Sequence, residues 1–244
     1  MLHLTCLLIK FPCYSGCSLC NIELAFLVDS STKNDANAWT QMLNFVSEVV
    51  KQYTINPSCV RAAVIRYGNN VDAPIQLNSY SDINRLVQAI GQIHQLGGRS
   101  NLAAALRLLQ TRIFASNIVR SNAVQVAIII TDQLQSNPQI LSVANIVKSQ
   151  GITIVAVGIT GPARVDTDFM YSITSNRWAI EVGDYNQLIS GARNTIVQQY
   201  GCFPYTSPTT TPIPALTSTS DSSTGMFSFS KYSYYISLVR LSGR

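Results

Sequence analysis

Histidine and charge are what this chain has least of. Only two histidines, His3 and His94, occur in 244 residues, and Asp, Glu, Lys and Arg together make up 12%. With so little imidazole, general acid–base chemistry near neutral pH has few candidates. The loops that mark nucleotide-binding and hydrolytic enzymes are missing too. No GxGxxG follows the first apolar strand, no GxxxxGK[ST] or HExxH occurs, and "GGRSN" lacks the closing glycine of a GxSxG elbow. An enzyme is therefore not expected. The formal net charge is +5, yet the basic residues are scattered, with no run of five and no interleaved aromatics, which argues against nucleic acid. Apolar runs such as "VQVAIIIT" and "ITIVAVGIT" fall well short of the roughly 18 residues a membrane helix needs, so no membrane insertion is expected and they read as buried strands. No N-x-[ST] sequon occurs, so N-glycosylation is not expected.

Six cysteines are unevenly placed: Cys6, Cys13, Cys17 and Cys20 crowd the start, Cys59 stands alone and Cys202 lies far downstream. Cys17 and Cys20 form a CxxC with neither a second CxxC nor a histidine pair to complete a zinc site. Disulfides, and hence an oxidising compartment, are the better expectation. Cys59 itself reads as a buried or free thiol. Residues 1–20 form a Cys-rich segment that is either a secretory leader or a truncated start. Its apolar core precedes its lysine, Lys10, the reverse of the usual order.

From residue 22 to 202, short β-branched runs alternate with amphipathic helical stretches. "IELAFLVD" reads as a strand. A helix is expected from about Ala36 to Tyr53, with Trp39, Met42, Leu43, Val46, Val49, Val50 and Tyr53 on one face. "CVRAAVIRYG" and "APIQLN", separated by "NN", read as an antiparallel pair at a sheet edge. Ser81 and Asp82 open a helix through Ile93, and "LAAALRLLQTRIF" follows the "GGRSN" loop as another. Then come the strand "AVQVAIIITD", a helix over "QILSVANIVKSQ" preceded by Ser136 and Pro138 and closed by Gly151, and the strand "ITIVAVGIT". A helical stretch around Phe169 to Thr174, the strand "WAIEV" and a helix from about Asn186 to Tyr200 complete the series. The expected fold is α/β: a doubly wound, mostly parallel sheet with one antiparallel edge strand and helices on both faces. Residues 21–202 form that domain, 203–225 a Thr/Ser/Pro-rich linker and 226–244 an unassigned tail.

Ligands of such sheets bind outside the carboxyl ends of the strands, where strand order reverses. Two acidic residues end apolar strands here, Asp29 after "AFLV" and Asp132 after "AIIIT". In the common strand order they flank the same crevice. Ser30, Ser31 and Thr32 follow Asp29, and the glycine-rich loop can add Ser100. Carboxylates and hydroxyls without His or Cys suit a hard cation such as Mg²⁺, Mn²⁺ or Ca²⁺.

"FLVDSS", "LGGRSNLAAAL" and "IIITD", in that order, resemble the three motifs of a von Willebrand factor type A domain, also called an integrin inserted-type domain. The resemblance covers roughly three-quarters of the chain, and its closest flavour is the extracellular-matrix kind of matrilins and collagen VI. It implies a metal-ion-dependent adhesion site in which Asp29, Ser31, Ser100 (a threonine in the family) and Asp132 hold Mg²⁺ or Mn²⁺. Lys33 occupies the third position of the first loop, where the family has serine, and Gln133 stands where glycine is common. An immobile ammonium about 5 Å from a divalent cation would repel it by roughly 7 kcal/mol at an effective dielectric near 20. A flexible lysine can swing away, leaving the lost ligand as the main penalty. The metal is accordingly expected to be weak or absent. The resemblance further implies a bridge between Cys20 and Cys202, secretion to the extracellular matrix, and recognition of a matrix or cell-surface protein through Ser31, Lys33, Ser100 and Asp132. The chain would be part of a larger multidomain protein. The alternative is a structural matrix-assembly domain with no functional metal site.

Overall fold

The computed structural model describes residues 21–31, 36–161 and 164–200. Lys33, Cys20 and Cys202, residues 1–20, the linker and the tail lie outside them. Six strands form one sheet in the order β3-β2-β1-β4-β5-β6. They span β1 Ile22–Asp29, β2 Val60–Tyr67, β3 Val71–Ile75, β4 Val124–Thr131, β5 Thr153–Ile159 and β6 Ala179–Val182. All neighbours are parallel except β2 and β3, so the antiparallel edge is where the "NN" turn placed it.

Alternation along the strands builds two cores. Leu24, Phe26 and Val28 of β1 face one layer, with Val64, Ile128 and Val157 from the neighbouring strands. Over them lie α1 (Ala36–Val50), α2 (Ile83–Gly91) and the last helical segment, a π-helical turn Leu188–Arg193 running into α6 (Asn194–Tyr200). Ala25 and Leu27 face the other layer under α3 (Leu102–Leu108), α4 (Pro138–Ser149) and α5 (Thr167–Ile173). On that second face Ala25 stands level with Ala63 and Ala127, giving the alanine-rich helix α3 a flat surface to approach closely.

Local chemistry sets the helix ends. Asp82 caps α2 by accepting the Arg85 N–H at 3.0 Å, and Asp166 caps α5 through the Phe169 N–H at 2.9 Å. The cap of α4 is Asn137, with Pro138 at the first helical position where its missing N–H costs nothing. The stretch "LAAALRLLQTRIF" changes from α-helix to a π-helical turn at Leu109–Ile113. The last helix, expected from Asn186, starts at Leu188 because Asp184 accepts the N–H groups of Asn186 and Gln187 in a turn of its own.

One expectation fails at the amino end of the strands. Cys59 is buried, as expected, but it is disulfide-bonded rather than a thiol. It is the sole cysteine among the described residues, so its partner lies outside them. Beside it sits a feature that an apolar reading of "IELAFLVD" passes over. Glu23 is fully buried and grips two arginines. Arg61, its register neighbour in β2, pairs through Nε at 2.8 Å and through Nη2. Arg120 donates its Nε at 2.8 Å and its backbone N–H at 3.1 Å. Arg120 also reaches the carbonyls of Pro57, Ile22 and Cys59, tying three chain segments to one carboxylate.

Removing the shared acid would strand the buried Arg61 guanidinium and the partly buried one of Arg120. Glu23→Ala should therefore cost roughly 3–5 kcal/mol in urea unfolding, whereas Lys51→Ala, which breaks an exposed pair with Glu48, should cost under about 1 kcal/mol. Comparable losses in the two variants would contradict the assignment.

Candidate functional site

At the opposite, carboxyl ends of the strands, β1 and β4 lie side by side where strand order reverses, and Asp29 and Asp132 both come to that crevice. Both are fully buried. The Asp29 carboxylate accepts the Ser31 N–H at 3.1 Å on Oδ1, and the hydroxyls of Ser100 and Thr131, each at 2.9 Å, on Oδ2. Ser31 and Ser100 are thus brought to the crevice as the motifs suggested. Thr131, the last residue of β4, joins them although its motif was read only for the aspartate after it.

The loops are held by their backbones. Ser30 accepts the Leu96 N–H at 2.6 Å on its hydroxyl and the Gly97 N–H at 2.7 Å on its carbonyl, and Gln95 donates to the Ser31 carbonyl at 2.8 Å. Glycine is required at two contacts. A Cβ on Gly68 would stand 2.2 Å from the Gly97 carbonyl oxygen, and Gly98, at φ +85°, would drive one into Asn69. The glycine-rich loop therefore lies against the end of β2, which sets the position of Ser100.

Asp132 is satisfied differently. Its Oδ2 accepts Arg164 Nη2 at 2.7 Å and the Tyr185 hydroxyl at 2.9 Å, while Oδ1 is buried with no hydrogen-bond donor among the described residues. Arg164 comes from the loop after β5. That loop is pinned by a short parallel bridge between Leu134 and Val165, with Leu134 N–H on the Arg164 carbonyl at 2.9 Å and Asp166 N–H on the Leu134 carbonyl at 2.7 Å. The Gln133 side-chain amide donates to Ser31 Oγ. Neither Arg164 nor Tyr185 carries a local sequence signal. Their roles depend on how two distant loops fold over Asp132.

A divalent cation needs the lone pairs of these oxygens facing an open seat. The donor set is all oxygen, which is the right chemistry. Its arrangement leaves only Asp132 Oδ1 of the carboxylate oxygens without a donor among the described residues, and that single oxygen makes no open seat. Both Asp29 oxygens already accept hydrogen bonds, a guanidinium occupies Asp132 Oδ2, and an amide N–H is directed at Ser31 Oγ. A cation at Asp132 would have to sit beside Arg164, and the two positive charges would repel. The crevice as folded carries its own counter-charge.

Burial pushes the Asp29 carboxyl from 3.8 up to about 6. The three hydrogen bonds act against that rise and the nearby Asp132 charge adds to it. An acid whose pKa is higher in the folded state stabilises the fold at low pH, and that contribution is lost as pH rises through the folded value. Between about pH 3 and pH 7, stability should fall by roughly 3 kcal/mol from this group alone, about two thirds of it between pH 4 and pH 6. Denaturant midpoints measured across that range should show the decline in the parent and a flatter profile in Asp29→Asn. An unchanged profile in the variant would place the titration elsewhere.

A family model described as the von Willebrand factor type A domain matches residues 23–193. The human collagen alpha-6(VI) chain is 31% identical over 137 residues, which is 56% of this chain and 6% of the collagen. Human matrilin-3 is 30% identical over 151 residues, covering 59% of this chain and 31% of the matrilin. Mouse vitrin is 28% identical over 156 residues, covering 64% and 24%. The chain spans less than a third of the length of each of these relatives. Among solved structures, proximal thread matrix protein 1 from the mussel byssus aligns with a TM-score of 0.65 at 18% identity, over 76% of this chain and 46% of that one. One structure of that protein has a zinc-occupied MIDAS motif. The manganese-loaded TRAP protein of Plasmodium vivax aligns at 0.61 and 18% identity, over 75% of both chains. These two likenesses concern the fold, and its doubly wound sheet is the one described above. By the extent of the family match and the motifs that line its crevice, the chain belongs to the von Willebrand factor type A domain family.

Proposed function

We propose that this chain is a protein-interaction module of a secreted matrix protein, binding a matrix or cell-surface partner through the loops around Ser31, Ser100 and Asp132. The observation that carries this reading is the convergence of two buried carboxylates and two loop hydroxyls at the switch point of the sheet. Similarity to collagen VI, matrilin-3 and vitrin supports the extracellular setting. Among the described residues no helix is long and apolar enough to cross a membrane.

The role is adhesive and not catalytic. Asp29, whose pKa is raised toward neutral, lies buried beneath Ser100 and Thr131 and is not offered to a substrate. The second carboxylate, Asp132, is buried and engaged by Arg164 and Tyr185, and the remaining side chains at the crevice are hydroxyls, an amide, a phenol and a guanidinium, which hold and orient a ligand. Metal is weak or dispensable, because Arg164 and Gln133 already engage oxygens that a cation would need.

Retention of the labelled chain on cell-derived matrix tests this. Asp132→Ala should lower retention by about tenfold or more, since it releases both Arg164 and Tyr185 from the crevice. Lys51→Ala and a chelator should leave retention unchanged. Equal retention by Asp132→Ala and the parent would favour the structural matrix-assembly role, in which the crevice is idle.

A further inference from the structure

Next to Ser100 and Asp132 the surface opens into a groove of about 630 Å³. Arg99 and Arg164 stand among its walls with Ser100 and Gln133, and Leu134 and Ile140 give it apolar surface. None of the residues lining it is acidic. Its volume falls within the range of roughly 300–1,000 Å³ typical of ligand sites. We propose that this groove binds an acidic peptide segment of a partner protein, with Arg164 and Arg99 taking its carboxylates and the apolar residues taking its flanking side chains. The inference rests on the interaction reading above and names the chemistry of the partner.

Three features point to an acid. Arg164 has five N–H donors and directs only Nη2 at Asp132, and no other acceptor for its guanidinium lies among the described residues. Its side chain is still 34% exposed, so the guanidinium can hold Asp132 with one edge and meet a ligand with another. The exposed Arg99 contributes a backbone hydrogen bond to Asn69, while its guanidinium makes no ion pair with the described residues. Asp132 offsets Arg164 in the free protein, so among the described residues Arg99 is the groove's unpaired positive charge. The groove also meets the start of α4, where Asn137 caps the helix and the backbone dipole favours negative charge.

A peptide fits better than a sulfated polysaccharide. Polyanion sites need a tract of basic residues to match a repeating charge, and here two arginines share the groove with apolar and amide side chains. Amides such as Gln133 suit the alternating donors and acceptors of a peptide backbone.

Fluorescence anisotropy on the full chain tests the proposal with three probes: a short labelled peptide carrying glutamates among apolar residues, its glutamine counterpart, and a heparin-derived oligosaccharide. The glutamate peptide should bind saturably, and the glutamine peptide about tenfold or more weakly. Arg99→Gln and Arg164→Gln should each weaken glutamate-peptide binding by about tenfold. Arg99 is exposed and its side chain supports no described contact, so that variant reads binding without a folding effect. Equal binding of the two peptides, parent-like binding by both arginine variants, or binding of the oligosaccharide alone would overturn the proposal. Loss of the peptide signal with Asp132-dependent matrix retention intact would overturn the groove and leave the interaction reading standing. Loss of both would remove the reading beneath it.

Discussion

The central strand β1 is buried along its whole length, yet it carries a carboxylate near each end. Glu23 and Asp29 are six positions apart, about 20 Å of extended chain. A buried carboxylate is tolerated only if it is paired, hydrogen-bonded or protonated, and the fold answers this requirement differently at the two ends. At the amino end, Arg61 and Arg120 neutralise Glu23 and lash β1, β2 and two loops together. At the carboxyl end Asp29 is held by a backbone N–H and two hydroxyls. One end is a closed ion-pair cluster, and the other gathers two buried carboxylates in a crevice.

That asymmetry explains the part Arg164 plays. A second carboxylate, Asp132, lies in the same crevice, and two buried acids with no cation would raise each other's pKa. Arg164 supplies a positive charge on Asp132, tethered by a loop that is itself bridged to Leu134. In the family's metal site, the ion would perform that compensation and offer an open position to a partner. Here a guanidinium performs it, and the same side chain faces a groove lined by a second arginine.

Much of this was legible in the chain itself. Strands such as "IELAFLVD" and "VQVAIIIT" are long, β-branched and bounded by turn residues, so their existence and order followed from pattern. Asp29 and Asp132 were readable because each ends an apolar run, and the doubly wound order then puts them together. What escaped was decided by tertiary contact. Glu23 looked like one polar letter in an apolar strand, and its partner Arg120 lies 97 residues away. Arg164 and Tyr185 sit in loops with no motif, and only the folding of both over Asp132 gives them a role. The Cys59 disulfide was missed because a lone cysteine ahead of a strand carries no pairing information. Lys33, the departure from the family pattern most visible in the sequence, lies outside the described residues, and the counter-charge that the structure does describe is Arg164.

The crevice is compensated from within the protein, by Arg164 on Asp132. Calorimetric titration of Mn²⁺ into the full chain tests this most directly, with Asp132→Ala as the reference. No saturable heat should appear below about a millimolar Mn²⁺, well above the affinity of a dedicated divalent site. Micromolar binding in the parent that disappears in Asp132→Ala would show that a metal displaces Arg164 and would contradict the claim.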